Sequence, residues 1–289
     1  MPSQTEHQLN ETLRLALFLP EASDYIASSP SESISLAQPV QQSPFVLGLQ
    51  KEAREYKLPI NVGIHEPAQG GEKIKNTLIW IDELGEITQR YQKIHLFDVD
   101  IKDGPVLKES KCVIPHFIQR SEADSQGRYL SFIFLLSTGG YDRSVEKGME
   151  ILPPFNTPVG RVGLSICFDL RFPEISLAIK RQNAQIITYP SAFTVPTGQA
   201  HWEALLRARA IETQSYVIAA AQSGAHNAKR ISYGHSMIVN PWGEVVAKLG
   251  GGSVAQEPEI AVAEVDLELL EKVRREMPLL RRTDVYPEI

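Results

Sequence analysis

Short continuous apolar runs recur along the chain and alternate with segments of helical spacing. Such runs, bounded by turn residues, are typical of strands buried on both faces; they are Leu15–Leu19, Pro59–Ile64, Arg161–Ile166, Ile186–Pro190 and Tyr216–Ala221. Apolar residues recur with helical spacing in Phe45–Lys57, Ile175–Gln182, Ala200–Gln214 and Leu267–Met277. This alternation predicts one α/β domain over residues 1–289 with mixed rather than purely parallel sheets.

Two hairpins and several connections complete the predicted order of elements. Turn residues join Asn76–Asp82 to Glu86–Tyr91, and His235–Val239 to Glu244–Leu249. We expect loops at 98–107 and 191–198, and a last strand at Ile260–Val265.

Composition and charge narrow the classes of function. The net charge of −6, with scattered lysines and arginines, argues against nucleic-acid binding. The two cysteines cannot form a disulfide framework and suit a reducing compartment. We see no Cys/His cluster for a metal and no GxGxxG motif or P-loop for a nucleotide, so we expect neither metal nor cofactor.

The chain shows no signal for export or membrane insertion. The first ten residues lack the apolar core of a signal peptide and the arginines of a transit peptide. The most apolar run, Tyr129–Leu136, is far short of the ~20 residues of a membrane helix. We expect a cytoplasmic protein that does not bind membranes; a mitochondrial form stays open.

Cys167 ends an apolar run and precedes a polar turn and a predicted helix. A thiol at a strand tip, before a helix N-terminus, suits a nucleophile because the helix end stabilises a thiolate. The alternative is a buried structural cysteine, since free cysteine is often buried. Glu21 also follows a strand end, where α/β sheets place ligand groups; the alternatives there are a solvated loop residue or a helix cap. Lys93 lies between apolar neighbours, so it is either a partly buried ammonium or the more usual solvated charge, and Glu109 is uninformative alone.

Four stretches in this order resemble the nitrilase superfamily of carbon–nitrogen hydrolases: Phe18–Ala22, Tyr91–Phe97, Leu107–Ser110 and Ser165–Glu174. The finer motifs Leu19–Ile26, Lys93–Asp100, Arg171–Glu174 and Thr197–Glu203 are similar to its deaminated glutathione amidase branch. The resemblance implies an αββα sandwich, normally paired as a homodimer or a higher homo-oligomer.

The resemblance also implies an activity on a small-molecule amide. The expected reaction hydrolyses the terminal carboxamide of deaminated glutathione and releases ammonia through a cysteine thioester. The runner-up is an ω-amidase that acts on short 2-oxo-acid amides.

Site residues are carried over from the matching motifs. Cys167 is the expected nucleophile and Glu21 its general base, Lys93 stabilises the oxyanion, and Glu109 pairs with Lys93. Phe168 is expected to supply a backbone N–H to the oxyanion. The remaining expectations concern binding and packing: Arg171 clamps a carboxylate or makes a structural ion pair, and Thr194 and Thr197 line the pocket. His201 and Trp202 lie in the core or in the pocket, with the core favoured, and Phe193 is a packing residue.

Two departures from the family pattern stand out. The first strand of the family is apparently missing, because only mostly polar residues precede Leu15. Residues 114–145 look inserted and resemble translated non-coding sequence, which suggests a retained intron together with a wrong start. The alternative is a splice variant with impaired catalysis that acts only through protein contacts.

Overall fold

The structure is a computed structural model that describes residues 14–100, 106–109, 119–123, 129–133, 145–228, 230–252 and 258–287. Its α-helices begin at residues that favour helix starts. Ser29 and Ser43 accept a hydrogen bond from the first turn and are each followed by proline. The helices are α1 (Pro30–Leu36), α2 (Pro44–Tyr56), α3 (Pro173–Arg181), α4 (Val195–Thr213) and α5 (Leu267–Glu276).

Strands in the described ranges precede, separate and follow these helices. In the first part of the chain they are β1 (Leu17–Phe18), β2 (Ile60–Pro67), β3 (Ile74–Ile81), β4 (Ile87–Gln92), β5 (Asp98–Asp100), β6 (Val106–Lys108), β7 (Gln119–Ala123), β8 (Tyr129–Ile133) and β9 (Val145–Glu146). The later strands are β10 (Phe155–Thr157), β11 (Gly160–Leu164), β12 (Ile186–Thr188), β13 (Tyr216–Ala219), β14 (Ser223–Asn227), β15 (Arg230–Tyr233), β16 (Met237–Val239) and β17 (Val245–Lys248).

Two mixed sheets form the centre of the molecule. The first has the order β1-β2-β3-β4, with β9 parallel to the start of β3. The second has the order β10-β11-β12-β13-β16-β17, in which β11, β12 and β13 are parallel neighbours. Pairs β5-β6, β7-β8 and β14-β15 stand outside both sheets.

The two sheets pack face to face because β3 alternates between two apolar environments. Leu78 and Trp80 join the main core with the second sheet, and Trp80 meets Phe155 of β10 edge-on at 5.5 Å between ring centres. Ile79 and Ile81 point to the opposite face and pack with residues of α2. Residues of α3 and α4 cover the outer face of the second sheet. The result is the αββα sandwich that the motifs imply.

Most predicted elements are confirmed, with three corrections. The expected strand Ile260–Val265 is not a strand; Ile260 and Val262 are 80% and 82% exposed. The alternation of apolar residues is present there, but no strand among the described residues pairs with this segment. Residues 98–107 are not simply a loop, since β5 and part of β6 lie there, and 191–198 contains the start of α4. The pairs β7-β8 and β14-β15 were not predicted.

Two sequence departures lie largely beyond the described ranges. Residues 1–13 are outside them, so the apparently missing first strand stays a prediction. Of 114–145, only β7, β8 and Val145 are described. No helix within the described ranges is long and apolar enough to cross a membrane.

Candidate active site

Glu21 lies three residues after the end of the short edge strand β1 and points into the space between elements of both sheets. Its side chain is almost fully buried. Oε1 accepts hydrogen bonds from Lys93 Nζ at 2.8 Å and Asn76 Nδ2 at 2.7 Å, and Oε2 accepts one from Ala192 N at 3.1 Å. Three donors from distant parts of the chain therefore fix the plane of this carboxylate.

A glycine lets the Glu21 turn lie against β2. The backbone N–H of Gly63 donates to Pro20 O, and its own carbonyl accepts from Ser23 N. A Cβ at Gly63 would lie 2.6 Å from the Cα of Glu21, which is closer than real contacts allow. The turn itself is tight, because Ala22 has a φ of 54°. Position 63 thus requires a residue without a side chain.

Lys93 follows β4 and its ammonium lies between two carboxylates. Besides Glu21, its Nζ contacts Glu109 Oε2 at 3.1 Å, and only 1% of the lysine side chain is exposed. Glu109 Oε2 also accepts from Phe97 N at 2.7 Å. A buried ammonium needs such partners, since an uncompensated charge away from water is costly. Lys93 is thus a fixed positive charge at the centre of the site.

Cys167 begins a 3₁₀ helix, Cys167–Arg171, just beyond the end of β11. Its φ is 46°, a left-handed conformation that non-glycine residues rarely adopt. The residue is 7% exposed and its backbone N–H donates to Pro190 O. The sharp turn places the thiol beside Glu21 rather than in the second sheet.

Asp169 ties the cysteine turn to the lysine segment. Its buried carboxylate accepts four hydrogen bonds: from Ile166 N at 3.0 Å and Tyr91 Oη at 2.7 Å on one oxygen, and from His95 N at 3.0 Å and His95 Nδ1 at 2.8 Å on the other. The His95 ring stacks on Phe172. One side chain therefore sets the position of the strand that ends at Cys167 relative to the segment that carries Lys93.

Burial and neighbouring charges shift the pKa values of Glu21, Lys93 and Cys167 in the site. Burial alone raises the pKa of Glu21, but the charge of Lys93 and the hydrogen bonds from Lys93, Cys167 and Asn76 outweigh it, so the pKa is lowered. Burial lowers the pKa of Lys93, but Glu109 and Glu21 raise it well above its usual value. Burial and the Glu21 charge raise the pKa of the Cys167 thiol, against the opposing charge of Lys93.

This balance corrects the expected thiolate at a helix N-terminus. A 3₁₀ turn stands between Cys167 and α3, and the raised pKa keeps the thiol protonated at neutral pH. A base must therefore take its proton before the sulfur can attack. Glu21, an ionised carboxylate in hydrogen-bond contact with that thiol, is placed to do so.

A partly open cavity exposes these groups. It is lined by charged and aromatic side chains together with a small residue of the 191–198 segment; the lining comprises Glu21, Lys93, Phe97, Glu109, Cys167, Phe168, Arg171, Ala192, Phe193, Thr197 and Arg230. The four predicted catalytic residues thus meet in one pocket, with aromatic walls around them.

Arg171 reaches the pocket from the end of the cysteine turn. Its guanidinium lies over the rings of Phe168 and Phe193, at 5.6 and 5.4 Å from their centres. Its Nη atoms contact His201 Nδ1 at 3.3 Å, and burial lowers the pKa of the guanidinium. In the described part of the chain it forms no ion pair with a carboxylate, which favours the clamp over the structural ion pair.

The other predicted binding residues divide between the pocket and the core. Thr197 lines the cavity, whereas Thr194 is buried outside its lining and bonds to Thr197 across 2.9 Å. Trp202 is core, as predicted, but His201 is exposed because its face of α4 turns to solvent. Phe193 packs on Trp202, as predicted, and also lines the pocket.

Three residues that contact Glu21 or line the cavity were not predicted from the sequence: Asn76, Ala192 and Arg230. Nothing local distinguishes a buried asparagine at the start of a hairpin or an arginine in a polar hairpin. Their contacts with the site span 55 residues from Asn76 to Glu21 and 171 from Ala192 to Glu21. No cluster of three or more potential metal ligands occurs within the described ranges.

Comparisons with known proteins identify the family of this chain. The family model for carbon-nitrogen hydrolases matches residues 16–275. A Schizosaccharomyces pombe protein called probable hydrolase nit2 is 44% identical over 274 residues, which are 94% of this chain and 87% of that protein. The deaminated glutathione amidase of Bos taurus is 41% identical over 275 residues, or 93% of this chain and 72% of that one.

A solved structure has the same fold. The crystal structure of the Caenorhabditis elegans NitFhit protein superposes with a TM-score of 0.73 at 38% identity, over 93% of this chain and 57% of that longer chain. The chain therefore belongs to the carbon-nitrogen hydrolases of the nitrilase superfamily, on the branch of the deaminated glutathione amidases, and is a hydrolase of amide carbon–nitrogen bonds.

Proposed function

We propose that this protein hydrolyses the γ-amide of deaminated glutathione through a thioester on Cys167. The observation that carries the proposal is the ammonium of Lys93 held between Glu21 and Glu109 beside a protonated thiol, all on one cavity. Related amidases with this name, 41% identical in Bos taurus, support the choice of substrate.

Acylation begins with transfer of the thiol proton to Glu21. The sulfur then adds to the amide carbonyl carbon, and the ammonium of Lys93 stabilises the oxyanion that forms. The C–N bond breaks as Glu21 returns the proton to the leaving nitrogen. An amine departs and the acyl group stays on Cys167 as a thioester.

Deacylation uses the same groups in reverse order. Glu21 removes a proton from water as the water oxygen adds to the thioester carbonyl carbon. The second tetrahedral intermediate collapses, the C–S bond breaks, and the sulfur regains its proton from Glu21. Glu109 keeps Lys93 in place through both steps, because it holds Nζ from the side opposite Glu21.

The leaving group needs a correction to the expected release of ammonia. Glutathione whose amino group has been replaced by an oxo group keeps two secondary amides and no primary carboxamide. Cleavage of its γ-amide yields 2-oxoglutarate and cysteinylglycine. Ammonia leaves only from a primary amide such as 2-oxoglutaramate, an ω-amidase substrate. The two candidate reactions therefore share one acyl-enzyme and differ in the amine that departs.

The test is a kinetic comparison of these two substrates with the full chain. We expect the larger kcat/KM for deaminated glutathione, with cysteinylglycine and 2-oxoglutarate released in equal amounts. Intact-protein mass spectrometry after rapid quenching should detect a 2-oxoglutaryl adduct. Cys167→Ala should abolish both turnover and adduct, whereas Cys112→Ala, which removes the other cysteine, should retain them.

Other outcomes select the alternatives. A larger kcat/KM for 2-oxoglutaramate, with ammonia release, makes the protein an ω-amidase. A folded chain that turns over neither substrate and forms no adduct contradicts the proposal and favours a role through protein contacts alone. Deletion of residues 114–145 beside the full chain shows whether that segment impairs catalysis.

The assembly and location of the protein are further proposals. We propose a homodimer or a higher homo-oligomer in the cytoplasm. The exposed apolar residues Ile260 and Val262 support an assembly, since exposed apolar side chains grouped on one segment often mark an interface. Light scattering after size-exclusion chromatography gives the mass in solution; a monomer at micromolar concentration contradicts the assembly.

A further inference from the structure

Two guanidinium groups reach the same cavity from different elements. Arg171 ends the cysteine turn, whereas Arg230 begins β15 in the unpredicted hairpin β14-β15. The sequence motifs assign no role to Arg230, and the proposed reaction steps do not use it. Its place on the cavity wall therefore calls for a separate explanation.

Backbone contacts hold Arg230 at the cavity. Its Nη2 donates to Ala192 O, and the N–H of the same Ala192 donates to Glu21. The hairpin continues this contact along the chain, because Tyr233 N donates to Phe193 O at 2.9 Å and Ser232 bridges to Thr194. A carbonyl oxygen orients the guanidinium without neutralising its charge.

The charges on the cavity wall leave the two arginines uncompensated. The positive charge of Lys93 is shared by Glu21 and Glu109. Within the described ranges no carboxylate forms an ion pair with Arg171 or with Arg230. The five ionised groups sum to +1, so a ligand with one or more negative charges is favoured there. Guanidinium groups bind carboxylates through paired hydrogen bonds, which makes carboxylates the matching ligand class.

We propose that Arg230 binds a carboxylate of the leaving group, while Arg171 binds the carboxylate of the acyl group. Arg171 is carried on the same short turn as Cys167, so its distance from the thioester is set by that turn. Arg230 comes from a separate hairpin, so its position is independent of the cysteine turn and suits contact with the leaving group. The assignment rests on the proposed function.

This assignment explains selection between the two candidate substrates. Deaminated glutathione carries one carboxylate on its acyl side and one on the glycine of its leaving group. 2-Oxoglutaramate has only the first, because its leaving group is ammonia. Arg230 therefore adds binding energy for the longer substrate and none for the shorter one.

The experiment is Arg230→Gln, assayed with both substrates and with a third, 2-oxoglutaryl-cysteine N-methylamide, which lacks the glycine carboxylate. We expect kcat/KM for deaminated glutathione to fall by about 10- to 100-fold, the loss that accompanies one charge-assisted hydrogen-bonded pair. The change should lie mainly in KM. The loss with the other two substrates should be smaller than the loss with deaminated glutathione, and Arg230→Lys should recover part of the loss.

Arg207→Gln is the matched control. Arg207 also donates to a backbone carbonyl, that of Gly243, but it is exposed and does not line the cavity. Its replacement should leave all three rates unchanged. Thermal unfolding of each variant checks that the fold persists.

Different failures identify different errors. Equal losses on all three substrates for a folded Arg230→Gln chain overturn the assignment, as does an unchanged rate for deaminated glutathione. A chain without turnover of any substrate refutes the proposed function instead. In that case, calorimetric titration of Cys167→Ala with intact deaminated glutathione still decides the role of Arg230: an equal Kd with and without Arg230→Gln overturns it.

Discussion

Asp169→Asn is a substitution of one atom at the point where the cysteine turn and the lysine segment meet. The carboxylate of Asp169 is fully buried and accepts four hydrogen bonds, two on each oxygen. Two of the donors are the backbone N–H groups of Ile166 and His95. The substitution keeps the shape of the side chain and removes its charge and half of its acceptors.

The loss of stability follows from the two possible orientations of the amide group that the variant carries at position 169. If its NH₂ group replaces the oxygen near His95, the His95 N–H loses its acceptor; in the other orientation the Ile166 N–H does. One buried N–H left without a partner costs about 1–3 kcal/mol. The remaining bonds lose their charge assistance, which roughly halves their strength. We therefore expect the free energy of unfolding to fall by about 3 kcal/mol.

Activity should suffer as well, because both Cys167 and Lys93 depend on this junction. We expect kcat to fall by about 10- to 100-fold with a smaller change in KM, since a displaced reacting group acts on the chemical step. Urea unfolding followed by tryptophan fluorescence gives the stability, and initial rates give kcat. Glu174→Gln removes an exposed carboxylate from the start of α3 and serves as the control.

The positioning role of Asp169 is contradicted if the free energy of unfolding of Asp169→Asn lies within about 0.5 kcal/mol of that of the unchanged chain, the range of a neutral surface change. It is also contradicted if stability drops but kcat does not. The first result would mean that the four contacts are weak, and the second that the junction does not position the reacting groups.

Two further predictions concern Glu21. Because its pKa is lowered below the usual 4.5, kcat/KM should hold steady as the pH falls to that value and drop only below it, when the base is protonated. Asn76→Leu removes one stabilising donor, so the acid limb should move to higher pH; Asn61→Leu, another buried asparagine, should not move it. Gly63→Ala places a Cβ 2.6 Å from the Cα of Glu21 and should lower kcat by at least about tenfold, whereas Gly48→Ala, with nothing within 4 Å, should not. An acid limb that stays in place in Asn76→Leu contradicts the role of Asn76. A Gly63→Ala chain with unchanged kcat contradicts the need for a residue without a side chain at position 63.

The alternation of apolar runs and helical spacing determined the order of most elements. Period and turn chemistry are local properties, so α2, β3, β4 and α5 were found close to their observed bounds. The position of Glu21 and Cys167 after strand ends was likewise predictable from the sequence, because it depends only on where each apolar run ends. The motifs then grouped these residues with Lys93 and Glu109 into one site.

Tertiary structure decided the chemical state of that site. The thiol of Cys167 is protonated because burial and Glu21 raise its pKa, and neither effect is visible in a strand-and-turn pattern. Strand pairing was also beyond local reasoning: Ile260–Val265 alternates like a strand, but a strand forms only beside a partner.

The same reason explains Asn76 and Arg230. Their roles come from contacts with Glu21, Ala192 and the cavity across long stretches of chain, and only the packing of the two sheets and the β14-β15 hairpin brings those groups together. The sequence thus predicted which residues meet at the site, and the fold decided their charges and the class of ligand that they favour.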